Sequence, residues 1–384
     1  MPPARKLLSL VLCSRNDNYM GNSLWRLQTT LNLTAENAIN AGLEDDIEII
    51  VADWGSERWL SADLHLTPVA ARMTYFLQFP AEVANAVQKD SPFSEVHPLN
   101  AAARAARGEF VGRIDQDTIV GEFFFRNLPR LANDEAGFQS SARDSLFFAQ
   151  RRNIPTVSVS HSPPAFRVAQ RIRKQGHRFW IHTHLPSDSD LFWTSAVGIW
   201  MLPRDLWFAC RGYNENFIYR NEMEVEMAAR LMKKHPMINL GPFMRFSFFH
   251  LGHERVLEGD HGRKFQPRVL ETPEIVGDFA ANDENWGMAE HHISRIQIPA
   301  GSPSKTLMSS EIFTGGTWRT NAQVFLNLLA AAWRGCVQFI HQTTLLNLLL
   351  EGYGYAAWKQ AMRNRYHPSN FKRHWRILAA KFRS

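Results

Sequence analysis

Cysteine is scarce in this sequence: 384 residues contain Cys13, Cys210 and Cys336 and no others. An odd number, widely separated and without a Cys-x-x-Cys pair, excludes a disulfide framework and a cysteine-based zinc knuckle. Long apolar runs are missing too. No stretch of about 18 uninterrupted apolar residues occurs, so nothing reads as a membrane span. Leu7–Cys13, behind Arg5 and Lys6, is too short for an ordinary signal peptide and lacks a small-residue cleavage site. It reads as a first strand, and the chain as cytoplasmic. Glycine (22) and proline (19) are too few for a collagen-like or low-complexity chain, and 45% hydrophobic with 21% charged residues describes a globular one. The body also lacks a charge excess. The net +6 is carried by residues 351–384, where eight Lys/Arg oppose the single acid Glu351. A near-neutral body argues against a nucleic-acid-binding core, and no nucleic-acid partner is expected; the basic tail calls for an anionic one.

What is present reads as alternating strands and helices. Leu7–Cys13 is apolar throughout, as in a strand buried on both faces, and Ser14–Asn18 follows as a polar loop. Residues 22–41 carry helical spacing and stop at Gly42. Ile47–Ala52 is a second strand and Arg72–Phe79 a third. Asn100–Arg107 is an Ala-rich helix stopped by Gly108, and Phe110–Ile114 a strand. This alternation predicts an α/β fold with an open, mostly parallel sheet, in which ligands bind beyond the carboxyl ends of the strands. Asp17, Asp53, Asp115 and Asp117 all fall at such ends. Residues 139–195 read as irregular and rich in Arg, Ser, Pro and His. Met223–Lys234 is an amphipathic helix, Pro236–Phe249 includes a strand closed by His250-Leu-Gly-His253, and 321–350 has helical leucine periodicity. No internal repeat is visible.

Asp115-Gln-Asp117 is the strongest local feature. Two carboxylates one residue apart in a loop can both turn toward one hard divalent cation, which keeps substrate phosphates among its other ligands. An Asx turn is the plainer reading of the same pair. The surrounding Asn100-Ala-Ala-Ala-Arg-Ala-Ala-Arg-Gly-Glu-Phe-Val-Gly-Arg-Ile-Asp-Gln-Asp117 resembles the family-2 glycosyltransferase stretch that leads into the DxD motif. Glu48-Ile-Ile-Val-Ala-Asp-Trp-Gly-Ser56 resembles that family's "IIVVDDGS" strand end. Cys210-Arg-Gly-Tyr-Asn-Glu215, followed by Met223-Glu-Val-Glu-Met-Ala-Ala-Arg-Leu231, resembles its acceptor-side "RGY-x-E … ED-x-E-L-x-x-R-L" segment.

The resemblance, over about residues 7–255, implies a GT-A fold: a GT-A domain over 1–300, with a nucleotide-sugar half at about 1–120 and an acceptor half at about 121–300. Residues 301–384 would add a basic, aromatic helical extension. It implies a metal-dependent, inverting transfer of a sugar from a nucleotide-sugar donor to a hydroxyl of a saccharide or lipid-linked acceptor, as in cell-surface polysaccharide or glycolipid synthesis. Asp117 would be the main ligand of Mg²⁺ or Mn²⁺ and Asp115 would contact ribose or metal. His250 or His253, with preference for His253, would complete the metal site. The implied substrate-binding set is Arg15, Asp17, Asp53, Asn100, Arg113 and Asp115, with Trp54 standing where the family has a second acid. Glu224 aligns with the family's base; Glu222 is its rival. On a helix Glu222 and Glu226 share a face while Glu224 lies on the other side, so only one arrangement faces the donor.

Two other readings stay open. A nucleotidyltransferase also uses clustered carboxylates and a metal, but no Gly-rich, Lys-containing loop follows Leu7–Cys13. A non-catalytic nucleotide-sugar-binding protein fits Met223, and Ile199 after Gly198, where relatives carry acids. In the tail, Trp358, Tyr366, Phe371, Trp375 and Phe382 interleave with the cations, which suits peripheral attachment to an anionic inner membrane face.

Overall fold

The computed structural model describes residues 5–299 apart from 139, 177–178, 182–196, 220–221, 242, 254–265, 268, 270–271 and 292. The expected extension at 301–384 lies outside the described residues. The chain begins β1 (Lys6–Ser14), α1 (Ser23–Asn40), β2 (Ile47–Trp54), α2 (Leu60–Asp63), α3 (Pro68–Met73), β3 (Thr74–Phe79), α4 (Ala81–Gln88), α5 (Val96–Ala105) and β4 (Gly108–Arg113). It continues β5 (Thr118–Val120), α6 (Glu122–Ala132), β6 (Leu146–Gln150), β7 (Arg152–Ile154), α7 (Ala165–Gln175), β8 (Trp180–Ile181) and β9 (Val197–Pro203). Then follow α8 (Arg204–Ala209), α9 (Met223–Leu231), β10 (Met237–Asn239), β11 (Phe248–Leu251) and β12 (Ser294–Ile296).

Eight strands form one sheet in the order β10-β6-β9-β4-β1-β2-β3-β12. The middle is parallel: β1 pairs with β2 and β4, and β2 with β3. β9 runs antiparallel to both β4 and β6, so the sheet is mixed. It also runs through both expected halves of the domain. β2 is buried at every position, as required of a strand covered on both faces. One face packs Trp54, Leu99, Trp200, Trp207 and Tyr213 beneath α5, α8 and α9. The other packs Leu10, Leu27, Leu31, Phe76, Phe110 and Phe124 beneath α1, α3 and α6. A smaller sheet, β5-β11-β7-β8, has its own apolar cluster with Val168 and Ala169 of α7.

Local chemistry sets the boundaries. α1 ends where Gly42 takes φ 72°, its N–H bonding the Ile39 carbonyl at 2.7 Å while the Leu43 N–H bonds that of Ala38 at 3.0 Å. The expected third strand starts two residues late, because Pro68 at the first turn and the Thr67 hydroxyl, accepting from the Ala70 N–H, make Pro68–Met73 a helix. The largest departure is 139–195: it contains β6, β7, β8 and α7. β6 is short and wholly buried, and its arginine- and serine-rich flanks mask it in the sequence.

Far from the carboxyl ends of the parallel strands, one buried acid joins three of them, β1, β2 and β4, to the antiparallel β12. The Ser9 hydroxyl donates to Glu48 Oε1 at 2.6 Å and accepts from the Gly108 N–H at 2.8 Å. The Arg107 N–H reaches the same Oε1, and the guanidinium groups of Arg107 and Arg295 both lie 2.7 Å from Oε2. Burial alone would raise the Glu48 pKa; Ser9, Arg107 and Arg295 outweigh it and lower it.

Among the described residues no helix is long and apolar enough to cross a membrane. Gly108 admits no side chain, since a Cβ there would sit 2.3 Å from the Ser9 amide nitrogen and 2.7 Å from the Leu8 carbonyl carbon. Backbone cannot yield as a flexible side chain does. Gly108→Ala is expected to cost about 3 kcal/mol of unfolding free energy, read from urea denaturation midpoints; a loss within error of zero would contradict the β1–β4 register.

Candidate active site

The parallel register brings three strand ends to one edge. Ser14, the last residue of β1, pairs with Asp53 of β2, and its hydroxyl bonds the Gln116 side chain in the turn after β4. The Asn16 N–H donates to Ser56 Oγ at 2.9 Å, closing the β1 loop onto the β2 loop. The loops of the first, second and fourth strands therefore form one rim.

The small sheet supplies what the rim lacks. β11 runs antiparallel to β5, with His250 opposite Thr118, and the Leu251 N–H donates to the Asp117 carbonyl at 2.8 Å. This pairing carries His250 and His253 across to Asp117. His250 Nε2 lies 3.2 Å from Asp117 Oδ1, and His253 Nε2 lies 3.6 Å from Oδ2. One ligand atom from each of the three residues lies within 4.8 Å of the others. Arg26, on α1, completes the group with Nη1 2.5 Å from Asp117 Oδ2. Burial pushes the Asp117 carboxyl upward, but the charge and hydrogen bond of His250, then Arg26 and His253, hold it well below the ordinary carboxylate range.

A second cluster lies on the other side of the same turn. Buried Arg113 contacts Asp115 Oδ1 at 2.8 Å, Glu95 Oε2 at 3.3 Å and Glu224 Oε1 at 3.3 Å. Arg151 pairs with the other Asp115 oxygen. Burial raises the Glu224 pKa to about 7; Arg113 lowers it and the Glu95 and Asp115 charges add to the rise. Burial would lower the Arg113 pKa, yet Asp115, Glu224 and Glu95 take it well above its usual value.

The two glutamates of the helix part company. Glu224 faces Arg113, whereas Glu222 sits at φ 70° before α9 with Oε2 accepting the Val269 N–H at 3.1 Å. Glu226, one turn on, is ion-paired to Arg230 and accepts the Gly277 N–H. Glu222 and Glu226 thus face structural partners.

Other expected residues are placed as follows. Asp115 stands outside the three-residue ligand group, held by two arginines. Arg113 is largely buried, its Nη1 and Nη2 among the carboxylates of Glu95, Asp115 and Glu224, and its Nε has no hydrogen-bond partner among the described residues. Asn100 is fully buried, with Nδ2 donating to the Tyr213 carbonyl (2.8 Å) and Glu215 Oε1 (3.0 Å) while Oδ1 accepts the Tyr213 N–H (2.8 Å). Its amide fastens α5 to the 210–215 turn and has nothing left for a substrate. Asp53 is also fully buried, its oxygens taken by the Ser56 hydroxyl and, at 2.7 Å, the Leu60 N–H. Trp54 points into the core, its ring parallel to His97 and its Nε1–H bonded to Gln88. Arg15 and Asp17 remain at the open rim, joined by Arg15 Nη2 to Asp17 Oδ2 at 2.7 Å.

Sequence reasoning missed Arg26 and Glu95, and it counted Arg151 only among the arginines of 139–195 whose charge suits an acidic sugar or a lipid-linked diphosphate, not as a partner of Asp115. For Arg26 a signal existed: it and Glu36 are the only charged residues of α1, and Arg26 lies among its buried positions. Glu95 stood in a segment with no recognisable pattern.

No protein-family model matches the chain, and no curated protein matches it. Among solved structures it is similar to S. aureus TarS 1–349 in complex with UDP-GlcNAc, at 10% identity and TM-score 0.33, over 65% of this chain and 60% of that one. It is also similar to S. aureus TarS at 10% identity and TM-score 0.35, over 64% of this chain and 37% of that one. The chain spans less than two thirds of either, and likenesses this distant carry no argument about the site.

Burial raises the Asp53 pKa to about 6 against the two hydrogen bonds it accepts. The folded chain therefore binds this proton more tightly than the unfolded one, and the associated stability is present below about pH 4 and lost as pH rises through about 6. Asp53→Asn is expected to flatten that decline in a pH series of denaturation midpoints. Parallel wild-type and variant curves from pH 4 to 7 would count against it.

Proposed function

We propose that this chain is a divalent-cation-dependent glycosyltransferase of GT-A type. It would transfer a sugar with inversion from a nucleotide-sugar donor to a hydroxyl of a saccharide or lipid-linked acceptor, in cell-surface polysaccharide or glycolipid synthesis. The observation that carries the reading is the meeting of Asp117, His250 and His253 at the carboxyl edge of the sheet, with Glu224 beyond the adjoining turn.

The donor set fits a cation. His250 Nδ1 is buried with no hydrogen-bond partner among the described residues, and Asp117 is held ionised. A carboxylate with two imidazoles suits Mn²⁺ better than Mg²⁺, which prefers oxygen ligands throughout. Asp117, His250 and His253 would hold the ion, which supplies positive charge against the departing diphosphate. Arg15 and Asp17 line the donor's entrance. Glu224 takes the acceptor's proton on its carboxylate, and Arg113, 3.3 Å away, orients that carboxylate without leaving the protein interior. Glu222, whose Oε2 accepts the Val269 N–H, is assigned no part in this step.

A panel of nucleotide sugars, UDP-GlcNAc included, screened by thermal shift with and without Mn²⁺ tests the donor class; specific binding raises the melting temperature. Asp117→Ala is expected to abolish the Mn²⁺-dependent shift and lower transfer or donor hydrolysis by about 10³-fold. Full Mn²⁺-independent activity of that variant would overturn the reading. Binding without turnover on any acceptor would favour a non-catalytic donor-binding protein. Glu224→Gln is expected to lower kcat by about 10²–10⁴-fold with donor affinity nearly unchanged. Because the base acts only when ionised and its pKa stands at about 7, kcat/KM should rise as pH rises through about 7. A variant whose kcat matches wild type would remove Glu224 from the mechanism.

A further inference from the structure

Arg26 is buried to 1% exposure, and each of its groups has a distinct situation. Nη1 lies against Asp117 Oδ2 and Nη2 donates to the Tyr19 carbonyl. Nε is a buried donor with no acceptor among the described residues. Asp117 Oδ2, the oxygen Arg26 covers, is also the one that faces His253. A divalent ion entering between Asp117 and the histidines therefore meets a positive charge already seated on the one anionic ligand found among the described residues. With both cations retained, three positive charges would oppose one carboxylate in a pocket shielded from water, where charge repulsion is poorly screened.

We propose that Arg26 is the resident counter-ion of Asp117 and the device that makes cation and donor bind together. The entering cation displaces the guanidinium from Asp117, and the diphosphate of the donor neutralises it in turn, giving the orphaned Nε–H an acceptor. Each ligand alone leaves an uncompensated buried charge; the two together leave none. The inference rests on the metal-site reading above, and it assigns the coupling to a helix residue distant in sequence from the metal ligands.

The test is Mn²⁺ binding to the full chain, followed by the paramagnetic resonance signal of the free ion with and without UDP. Arg26→Gln is expected to bind Mn²⁺ alone about tenfold more tightly than wild type, and UDP should then tighten Mn²⁺ by a smaller factor than it does in wild type. A merely structural Arg26 predicts a lower melting temperature with both Mn²⁺ affinities unchanged, and that result overturns the inference. Should the Gln variant not fold, Arg26→Lys keeps one charge but cannot span Asp117 and Tyr19 together. It is expected to bind Mn²⁺ alone more tightly than wild type by a smaller factor, and equal affinity overturns the inference. Mn²⁺ binding by neither wild type nor variant would overturn the metal site along with it, whereas wild-type binding unaltered by substitution removes the Arg26 coupling alone.

Discussion

The candidate site depends on one buried carboxylate. Asp117 ends the turn after β4 and immediately precedes β5, so it stands between the carboxyl edge of the large sheet and the start of the small one. Its backbone carbonyl receives β11, and its side chain receives Arg26 and the two histidines. A charge this deeply buried is tolerable only with partners on every side, and here those partners come from α1 and β11. The same requirement that keeps the acid ionised thus holds the two sheets and the first helix in a fixed relation.

The turn Asp115-Gln-Asp117 separates two electrostatic compartments. Asp117 looks toward α1 and β11, where imidazoles and a guanidinium surround it. Asp115 looks toward Arg113 and Arg151, with Glu95 and Glu224 sharing Arg113. One compartment stabilises a full negative charge; in the other, burial first and the Glu95 and Asp115 charges after it raise the Glu224 pKa against the pull of Arg113. Two acids one residue apart therefore face opposite surroundings, one among imidazoles and a guanidinium and the other between two arginines, which the spacing of the pair in the sequence does not distinguish.

Much of the fold was legible because its signals were local. The apolar runs at Leu7–Cys13 and Ile47–Ala52 declared buried strands, Gly42 ended α1, and acids at successive strand ends marked the rim. The pairing of β11 with β5 was not legible, since strand pairing over such sequence separation leaves no trace in either segment. Without it, the choice between His250 and His253 had no basis; both approach Asp117. Asn100 misled for a related reason. A buried amide satisfying a turn more than a hundred residues away looks, in sequence, like a polar residue awaiting a ligand. Glu224 and Glu222 were separable in principle by helical phase, but the direction of the helix relative to Arg113 came only from tertiary packing. Arg26 shows the opposite case: a lone cation among uncharged polar and apolar neighbours was visible and carried information.

The clasp around Glu48 gives the molecule a polarity of tolerance. Strand alignment is fastened at the base, where Ser9, Arg107 and Arg295 converge on one acid and Gly108 joins through Ser9, while the candidate site lies at the opposite rim. Insertions or exchanged loops at that rim leave the anchoring end untouched, so this architecture can acquire new specificities above a foundation that changes little.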